Sequence, residues 1–417
     1  MLTILFNLII IICTLLSMFY GIFYLYTGVH AYLKRPGCKR FLPQKRFAVL
    51  IPARNEEAVI GNLIESLKQQ HYPAELYDII VIPNNCSDNT AQVAKSCGAG
   101  ILECKKAVKS KGEVLTFAFD ELLGPSYPAY DAFCIFDSDN LVHPDFLARM
   151  NDALLSGAKI AQGYRDSKNP SDTWISGCHS LYYYIVNGFY DRARMNLGWS
   201  AALNGTGFVV SRELVAEHGF HTYSLTEDIE YSAIVVSRYQ EKIMWVPEAV
   251  TYDEQPLCFK ESWIQRRRWT AGTIQCFARY AGRLLANTVR HKSPSCFDFF
   301  VLYSAPFMQL IGLIPAVTMG ISLLVQNIAD DLWLIFGATT LLSLVGCYFV
   351  CALVSWLVLK LEHKDVKKHR KAIWTFGIFL ASWIPIGLWS LIKPYCRWRP
   401  IKHTRSLALE ELGGKPQ

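Results

Sequence analysis

The sequence predicts a doubly wound α/β domain in the cytosol, with one transmembrane helix before it and about three after it. Three observations carry this reading. Strand-like and helix-like segments alternate from Phe47 to Phe136, as in a sheet covered on both faces. Four long apolar runs lie at the two ends of the chain. The 417 residues are 52% hydrophobic and 18% charged, against ~45–50% and ~25% in ordinary soluble domains. That composition excludes a disordered chain, and the length allows two or three modules.

The first run, Ile4–Tyr26, carries no charge and exceeds the ~20 residues of a spanning helix. Lys34, Arg35, Lys39, Arg40, Lys45 and Arg46 follow it. A cleaved leader carries its basic residues ahead of the apolar core, so residues 1–32 read as a retained anchor whose C-terminal side faces the cytosol. The net charge of +7 sits beside apolar runs, which points to a membrane rather than to nucleic acid. The 13 Cys include no C-x-x-C pair, which leaves out a zinc or disulfide framework and fits a reducing compartment.

Residues 33–255 form the cytosolic domain. Phe47–Pro52 reads as an apolar strand, with a helix over Glu56–Gln70. Tyr77–Pro83 is a second strand, followed by a helix over Asp88–Cys97. Ile101–Cys104 and Ala132–Phe136 are further strands, separated by a helix over Lys111–Leu123. Strands apolar along their whole length predict a parallel sheet. Residues 256–298 read as amphipathic interfacial helices, with Trp263, Trp269, Phe277 and Tyr280 at headgroup level. Within residues 299–392 the runs are Phe299–Val325, Leu332–Leu359 and Ile373–Ile392. An acidic loop at Asp330 and Asp331 lies outside, and Lys360–Lys371, with six basic residues, lies inside. Four crossings place the tail, residues 393–417, outside against the bias of Lys393, Arg397, Arg399, Lys402 and Arg405. A re-entrant Ile373–Ile392, broken at Pro385, would keep it inside.

Ligands of doubly wound domains bind beyond the carboxyl ends of the strands. Three polar clusters sit there: Ala53–Glu57, Asn84–Thr90 and Asp137–Asn140. No G-x-G-x-x-G or G-x-x-x-x-G-K-[ST] is present, which argues against dinucleotide and P-loop sites. Asp137 and Asp139 close a buried strand, and two such carboxylates can hold Mg2+ together with substrate phosphates. The plain alternative is a solvated strand-end turn. Thr226-Glu227-Asp228 reads as a helix N-terminus capped by Thr226, and it can also hold Asp228, or Glu227, as a general base. Gln265, Arg268 and Trp269 share one helical face at i, i+3 and i+4, from which Arg266 and Arg267 point away. Arg and Trp there can clamp a diphosphate and stack on a sugar.

Asp137-Ser138-Asp139, Thr226-Glu227-Asp228 and Gln265-x-x-Arg268-Trp269 resemble the motif series of membrane-integrated family 2 glycosyltransferases. The likeness covers Phe47 to about Gly282 and is similar to the group of cellulose, chitin-oligosaccharide, hyaluronan and poly-N-acetylglucosamine synthases. It implies a GT-A fold, a UDP-sugar donor, Mg2+ or Mn2+, and an inverting hexosyl or N-acetylhexosaminyl transfer. It implies nucleotide contacts from Ala53, Glu56 and Lys111, diphosphate and metal contacts from Asp137 and Asp139, and acceptor contacts from Asn204 and Gly205. Asp228 matches the family's base. Gln265, Arg268 and Trp269 match its gating helix. Two departures stand out: K-G-E-V-L replaces K-G-x-A-L at Lys111, and Asn84 or Asn85 stands where the family has Asp. Asn can still hydrogen-bond a uracil edge. The implied product is a β-linked poly- or oligosaccharide made at the cell membrane, with a homodimer or an export partner to complete a channel. Glycosylation of a lipid acceptor is the alternative. The intact acidic clusters argue against a catalytically dead scaffold, and the uncharged apolar runs against an ion-coupled transporter.

Overall fold

A computed structural model describes residues 2–33, 38–325, 330–394, 407 and 409–412. Lys34, Arg35, Arg397, Arg399, Lys402 and Arg405, on which part of the charge argument rests, lie outside the described residues. The order is α1 (Leu2–Val29), β1 (Phe47–Ala53), α2 (Ile60–Lys68), β2 (Tyr77–Pro83), α3 (Thr90–Ser96), β3 (Gly100–Ile101), α4 (Lys111–Leu122) and β4 (Ala132–Ile135). Then come β5 (Leu141–Val142), α5 (Phe146–Leu155), β6 (Ile160–Ser167), α6 (Trp174–Ile185), α7 (Ala193–Leu197), β7 (Phe208–Ser211), α8 (Arg212–His218), α9 (Glu227–Ile234) and β8 (Met244–Asp253). The chain continues through α10 (Phe259–Arg290), α11 (Pro294–Tyr303), α12 (Ala305–Ile311), α13 (Ile314–Val325), α14 (Asp330–Leu361), α15 (Arg370–Ala381) and α16 (Trp383–Ile392).

The strands form one sheet in the order β3-β2-β1-β4-β7-β6-β8-β5. The first four pair in parallel, as their apolar runs predict. Along β1, Ala48 and Leu50 enter one core, while Phe47, Val49 and Ile51 enter the other. The remaining half is mixed, which corrects the expectation of a parallel sheet. β7 runs antiparallel to both β4 and β6. The reversal has a positional cause: β7 starts at the carboxyl edge, where Gly207 N–H donates to Ile135 O and Gly207 O accepts from Gly163 N–H. The loop before it, Asn204–Gly207, is thereby brought to the edge that carries Asp137.

Among the described residues, three helices are long and apolar enough to cross a membrane: Ile4–Tyr32, Leu332–Leu361 and Arg370–Ile392. A fourth candidate is the pair Pro294–Tyr303 and Ala305–Ile321, bent by 56°. The breaks follow proline chemistry. Pro306, Pro315 and Pro385 each sit in the first turn of a new helix, where a missing N–H leaves no helical bond unmade. The last break therefore falls at Ser382, three residues before the proline. Asp330 and Asp331 belong to α14 and not to a loop.

Buried and half-buried polar groups join the candidate membrane helices to the domain. Glu362, just after α14, accepts two hydrogen bonds from Arg192 at 2.8 and 3.3 Å, one from Tyr32 at 3.0 Å and one from Tyr164 at 3.1 Å. Arg194 in α7 and Asp298 in α11 are both fully buried and 2.8 Å apart, and the Tyr190 hydroxyl donates to Asp298 at 3.0 Å. Asp298→Ala leaves Arg194 without its anion and should cost about 3–5 kcal/mol, whereas Arg194→Met with Asp298→Leu should recover most of it. Heat resistance of the detergent-solubilised variants measures this. A single variant as resistant as the parent would show the pair to be dispensable.

Candidate active site

Lys111 opens α4, whose N-terminus is capped by Ser110 Oγ, which accepts from Glu113 N–H. Its Nζ lies 2.5 Å from Asp137 Oδ1, 2.6 Å from Gly205 O and 3.6 Å from Glu227 Oε1. Burial would lower the amine's pKa, but Asp137 and Glu227 raise it overall. Burial would raise Asp137, yet Lys111, and behind it Arg165 and Arg268, hold this carboxyl below the usual range. The Asp137-Ser138-Asp139-Asn140 turn is built, not merely solvated. Asp137 N–H donates to Asn140 Oδ1 at 3.1 Å and to Thr206 Oγ1 at 3.0 Å. Asp139 is only 7% exposed, and burial lowers the pKa of Lys168 despite the nearby Asp139.

The Asn204–Gly207 loop is held from four sides. Gln162 Oε1 accepts from Asn204 N–H at 2.9 Å, Arg165 Nη1 donates to Asn204 O at 2.5 Å, and Asp191 Oδ2 accepts from Asn204 Nδ2 at 3.2 Å. Lys111 holds Gly205 O. Gly205 has φ +86°, and a Cβ there would lie 3.2 Å from Asp228 Oδ2, so the backbone passes close against that carboxylate. Arg165 is fixed in turn by Asp253, to which Nε donates at 2.9 Å, and lies 4.1 Å above the Tyr183 ring.

Thr226 occupies the N-cap position of α9 but makes no cap hydrogen bond, contrary to the sequence reading. Its side chain is pressed against α10 at Gly272, where an added Cβ would come 2.1 Å from Thr226 Oγ1. Glu230 orders this corner instead. It accepts from the Tyr223 and Ser224 amides at 2.6 and 2.5 Å and from the Tyr280 hydroxyl at 2.8 Å. Burial, and then the neighbouring Glu227, push Asp228 up to about 7, against the pull of Lys111 and Arg268.

On α10, Gln265, Arg268 and Trp269 face the cavity, and Trp269 stacks on Tyr182 at 6.1 Å. Arg266 points away and is fully buried. It donates to Ser262 Oγ at 3.0 Å, Phe379 O at 3.0 Å and Ser382 Oγ at 2.7 Å. Arg267, expected to point away as well, also lines the cavity. Gln265 Oε1 and Arg267 Nε are buried polar atoms without a partner among the described residues. Such atoms usually have partners, so a polar ligand is a natural complement.

These elements enclose a cavity of about 1430 Å³. Its walls include Glu56, Asn84, Lys111, Asp137, Asp139, Asn204, Gly205, Glu227, Asp228, Gln265, Arg268 and Trp269. Ala53 alone of the anticipated residues is outside it: its side chain is buried, and its carbonyl accepts from Asn84 N and Nδ2, both at 3.0 Å. Arg165, Asp253 and Glu254 also line the cavity and were not anticipated. Asp253 closes β8, so the strand-end rule points to it once β8 is recognised as a strand. Among the described residues no three carboxylate, imidazole or thiol groups converge on one point. The donor set thus suits a hard divalent ion held by Asp137 and Asp139 and completed by substrate phosphates and water, not an all-protein cage.

Residues 43–272 match the family model described as "Glycosyltransferase like family 2". The chain is 25% identical over 371 residues to the probable glycosyltransferase YdaM of Bacillus subtilis, covering 86% of this chain and 83% of that protein. It is 23% identical over 244 residues to the β-monoglucosyldiacylglycerol synthase of Synechocystis, covering 57% of this chain and only half the length of that relative. Among solved structures it is similar to the mannosyltransferase PcManGT from Pyrobaculum calidifontis, in complex with GDP-Man and Mn2+. The TM-score is 0.60 at 15% identity, over 92% of this chain and 99% of that one, a likeness of fold. With the matched region spanning more than half the chain, this protein belongs to glycosyltransferase family 2 and is a glycosyltransferase.

Proposed function

We propose that the protein is an inverting enzyme of the cell membrane that moves a hexose or N-acetylhexosamine from a UDP-sugar to the hydroxyl of a membrane lipid. One observation carries the choice of acceptor. The cavity that holds Asp137 and Asp228 continues to Pro306, Gln309, Leu380 and Trp383 on the membrane helices. A lipid there keeps its chains in apolar surroundings while its head reaches the catalytic carboxylate. The named activity of the Synechocystis relative supports the same class. The polymer implied by the motif series is the second reading, favoured by the flat Trp269–Tyr182 surface. It would call on a homodimer or an export partner, because three or four spans enclose little channel. A cytosolic catalytic domain is supported by basic residues that flank the spans and pair with it: Arg40 with Asp152, Arg46 with Asp78 and Lys364 with Asp166.

Glu56 and Asn84 contact the uridine in this scheme, with Asn84 Oδ1 accepting from uracil N3–H while Nδ2 stays on Ala53 O. Asp137 and Asp139 would hold Mg2+ or Mn2+, which when bound neutralises charge on the diphosphate. Lys111, Arg268 and Gln265 orient the donor. Asn204 and Gly205 seat the acceptor hydroxyl beside Asp228, which removes its proton as the oxygen bonds to the anomeric carbon. The bond to UDP breaks on the opposite face, inverting the configuration. An elevated pKa suits this task, because a base is most effective near working pH. A phosphate acceptor, already ionised, would need no such base, which favours an alcohol.

Membranes containing the protein, supplied with radiolabelled UDP-glucose, UDP-galactose or UDP-N-acetylglucosamine, should yield a single-sugar lipid extractable into organic solvent. Label in a lengthening, ethanol-insoluble polymer would overturn the lipid reading. For the base, kcat/KM should fall about tenfold per pH unit below about 7, as Asp228 takes up its proton. Asp228→Asn should lose ~10²–10⁴-fold in turnover with UDP affinity nearly intact. A rate independent of pH down to 5 would place the base elsewhere, Glu227 being next. For the metal, Asp139→Ala should abolish Mn2+-dependent UDP binding in calorimetry, and full wild-type activity in excess chelator would contradict the assignment.

A further inference from the structure

Three observations meet at the membrane end of the cavity. Gln309 is the one carboxamide in the apolar stretch Phe299–Val325; it is exposed on α12 and lines the cavity. Its amide has no hydrogen-bond partner among the described residues, which is costly in lipid unless something polar meets it. Leu380 at the end of α15 and Trp383 at the start of α16 line the same cavity. Their break is pinned to α10 by Arg266, through Phe379 O and Ser382 Oγ. From there an aromatic row leads inward. Trp383 lies 5.3 Å from Tyr182, and Tyr182 stacks on Trp269 at 6.1 Å and 19°.

We propose that the gap between Pro306 and Gln309 on one side and Leu380 and Trp383 on the other is the port through which the acceptor enters from the bilayer. This rests on the lipid-acceptor reading above. The occupant is an uncharged long-chain amphiphile with a free hydroxyl. Its chains stay against Pro306 and Leu380, because withdrawing them from the bilayer loses the burial of every methylene. Its oxygen-rich linkage accepts from the Gln309 amide. Its head passes along Trp383, Tyr182 and Trp269 to Asp228. The Arg266 tether fixes the break between α15 and α16 on α10 and so sets one wall of the port, which gives that buried guanidinium a positioning role distinct from the cavity-facing Arg268.

The test uses the full chain in nanodiscs containing dioleoylglycerol. Gln309→Leu removes the amide, and Leu380→Trp fills the gap. Each should raise the KM for dioleoylglycerol at least tenfold while the KM for the UDP-sugar stays within twofold. Wild-type acceptor KM in both variants overturns the port. A separate measurement requires no variant to fold: a diacylglycerol with a diazirine midway along one chain, photolysed with the wild-type protein, should label peptides containing residues 305–309 or 380–383. Label confined to the lipid-facing sides of α1 and α14 overturns the port as well. If the wild-type protein glycosylates no diacylglycerol and makes polymer, the lipid-acceptor reading has failed and the port falls with it. That outcome appears in the wild-type sample, so the two failures are told apart.

Discussion

The ammonium of Lys111 is the point on which the site depends. It is a partly buried cation held by Asp137, Gly205 O and Glu227, and so joins the end of β4, the loop before β7 and the starts of α4 and α9. Asp137, Glu227 and Asp228 would repel one another in so confined a space without it. Its influence is uneven. The contact with Asp137 is direct, and that carboxyl is held low; Asp228 feels the charge from farther away, and burial and Glu227 push it up. Two carboxyls that line one cavity are thereby held in different states, Asp137 below the usual carboxylate range and Asp228 raised to about 7.

A second constraint comes from the helices long and apolar enough to cross a membrane. A cavity shared by the sheet domain and these candidate membrane helices keeps its shape only if the two parts are tied together. Three buried or half-buried groups do this: Asp298 on Arg194, Glu362 on Arg192 with Tyr32 and Tyr164, and Arg266 on the break between α15 and α16. Arg266 has no carboxylate partner among the described residues. Carbonyl and hydroxyl acceptors and the faces of Phe379 and Trp383, at 4.2 and 4.9 Å, stabilise it instead. Burial pulls its pKa down to about 10, still high enough to keep the charge at neutral pH.

The first half of the domain was legible because its strands are continuous apolar runs whose carboxyl ends carry the polar clusters. β2 falls on Tyr77–Pro83 as anticipated, and Asp137, Asp228, Gln265, Arg268 and Trp269 line one cavity. The second half was hidden for physical reasons. β8 contains Pro247, which ordinarily argues against a strand. Here the proline lies in a bulge, where the pairing with β6 skips from Val246 to Val250, so its missing N–H is not required by the ladder. Arg165 and Asp253, on the strands flanking that bulge, were lost with it. Helical spacing correctly placed Gln265, Arg268 and Trp269 on one face. It could not say that Arg266 would be buried beside Phe379 while Arg267 remained on the cavity wall, since that is decided by α15 and α16, more than a hundred residues away.

The central claim is that one partly buried ammonium holds Asp137 as an anion and tempers the pKa of Asp228. The most direct measurement is the pH dependence of kcat/KM for Lys111→Met beside the parent enzyme, with folding checked by circular dichroism. Loss of the cation should move the acid limb to higher pH and lower the plateau, because Asp228 then ionises against Glu227 with less compensation. An acid limb at the parent position with an unchanged plateau would contradict the account.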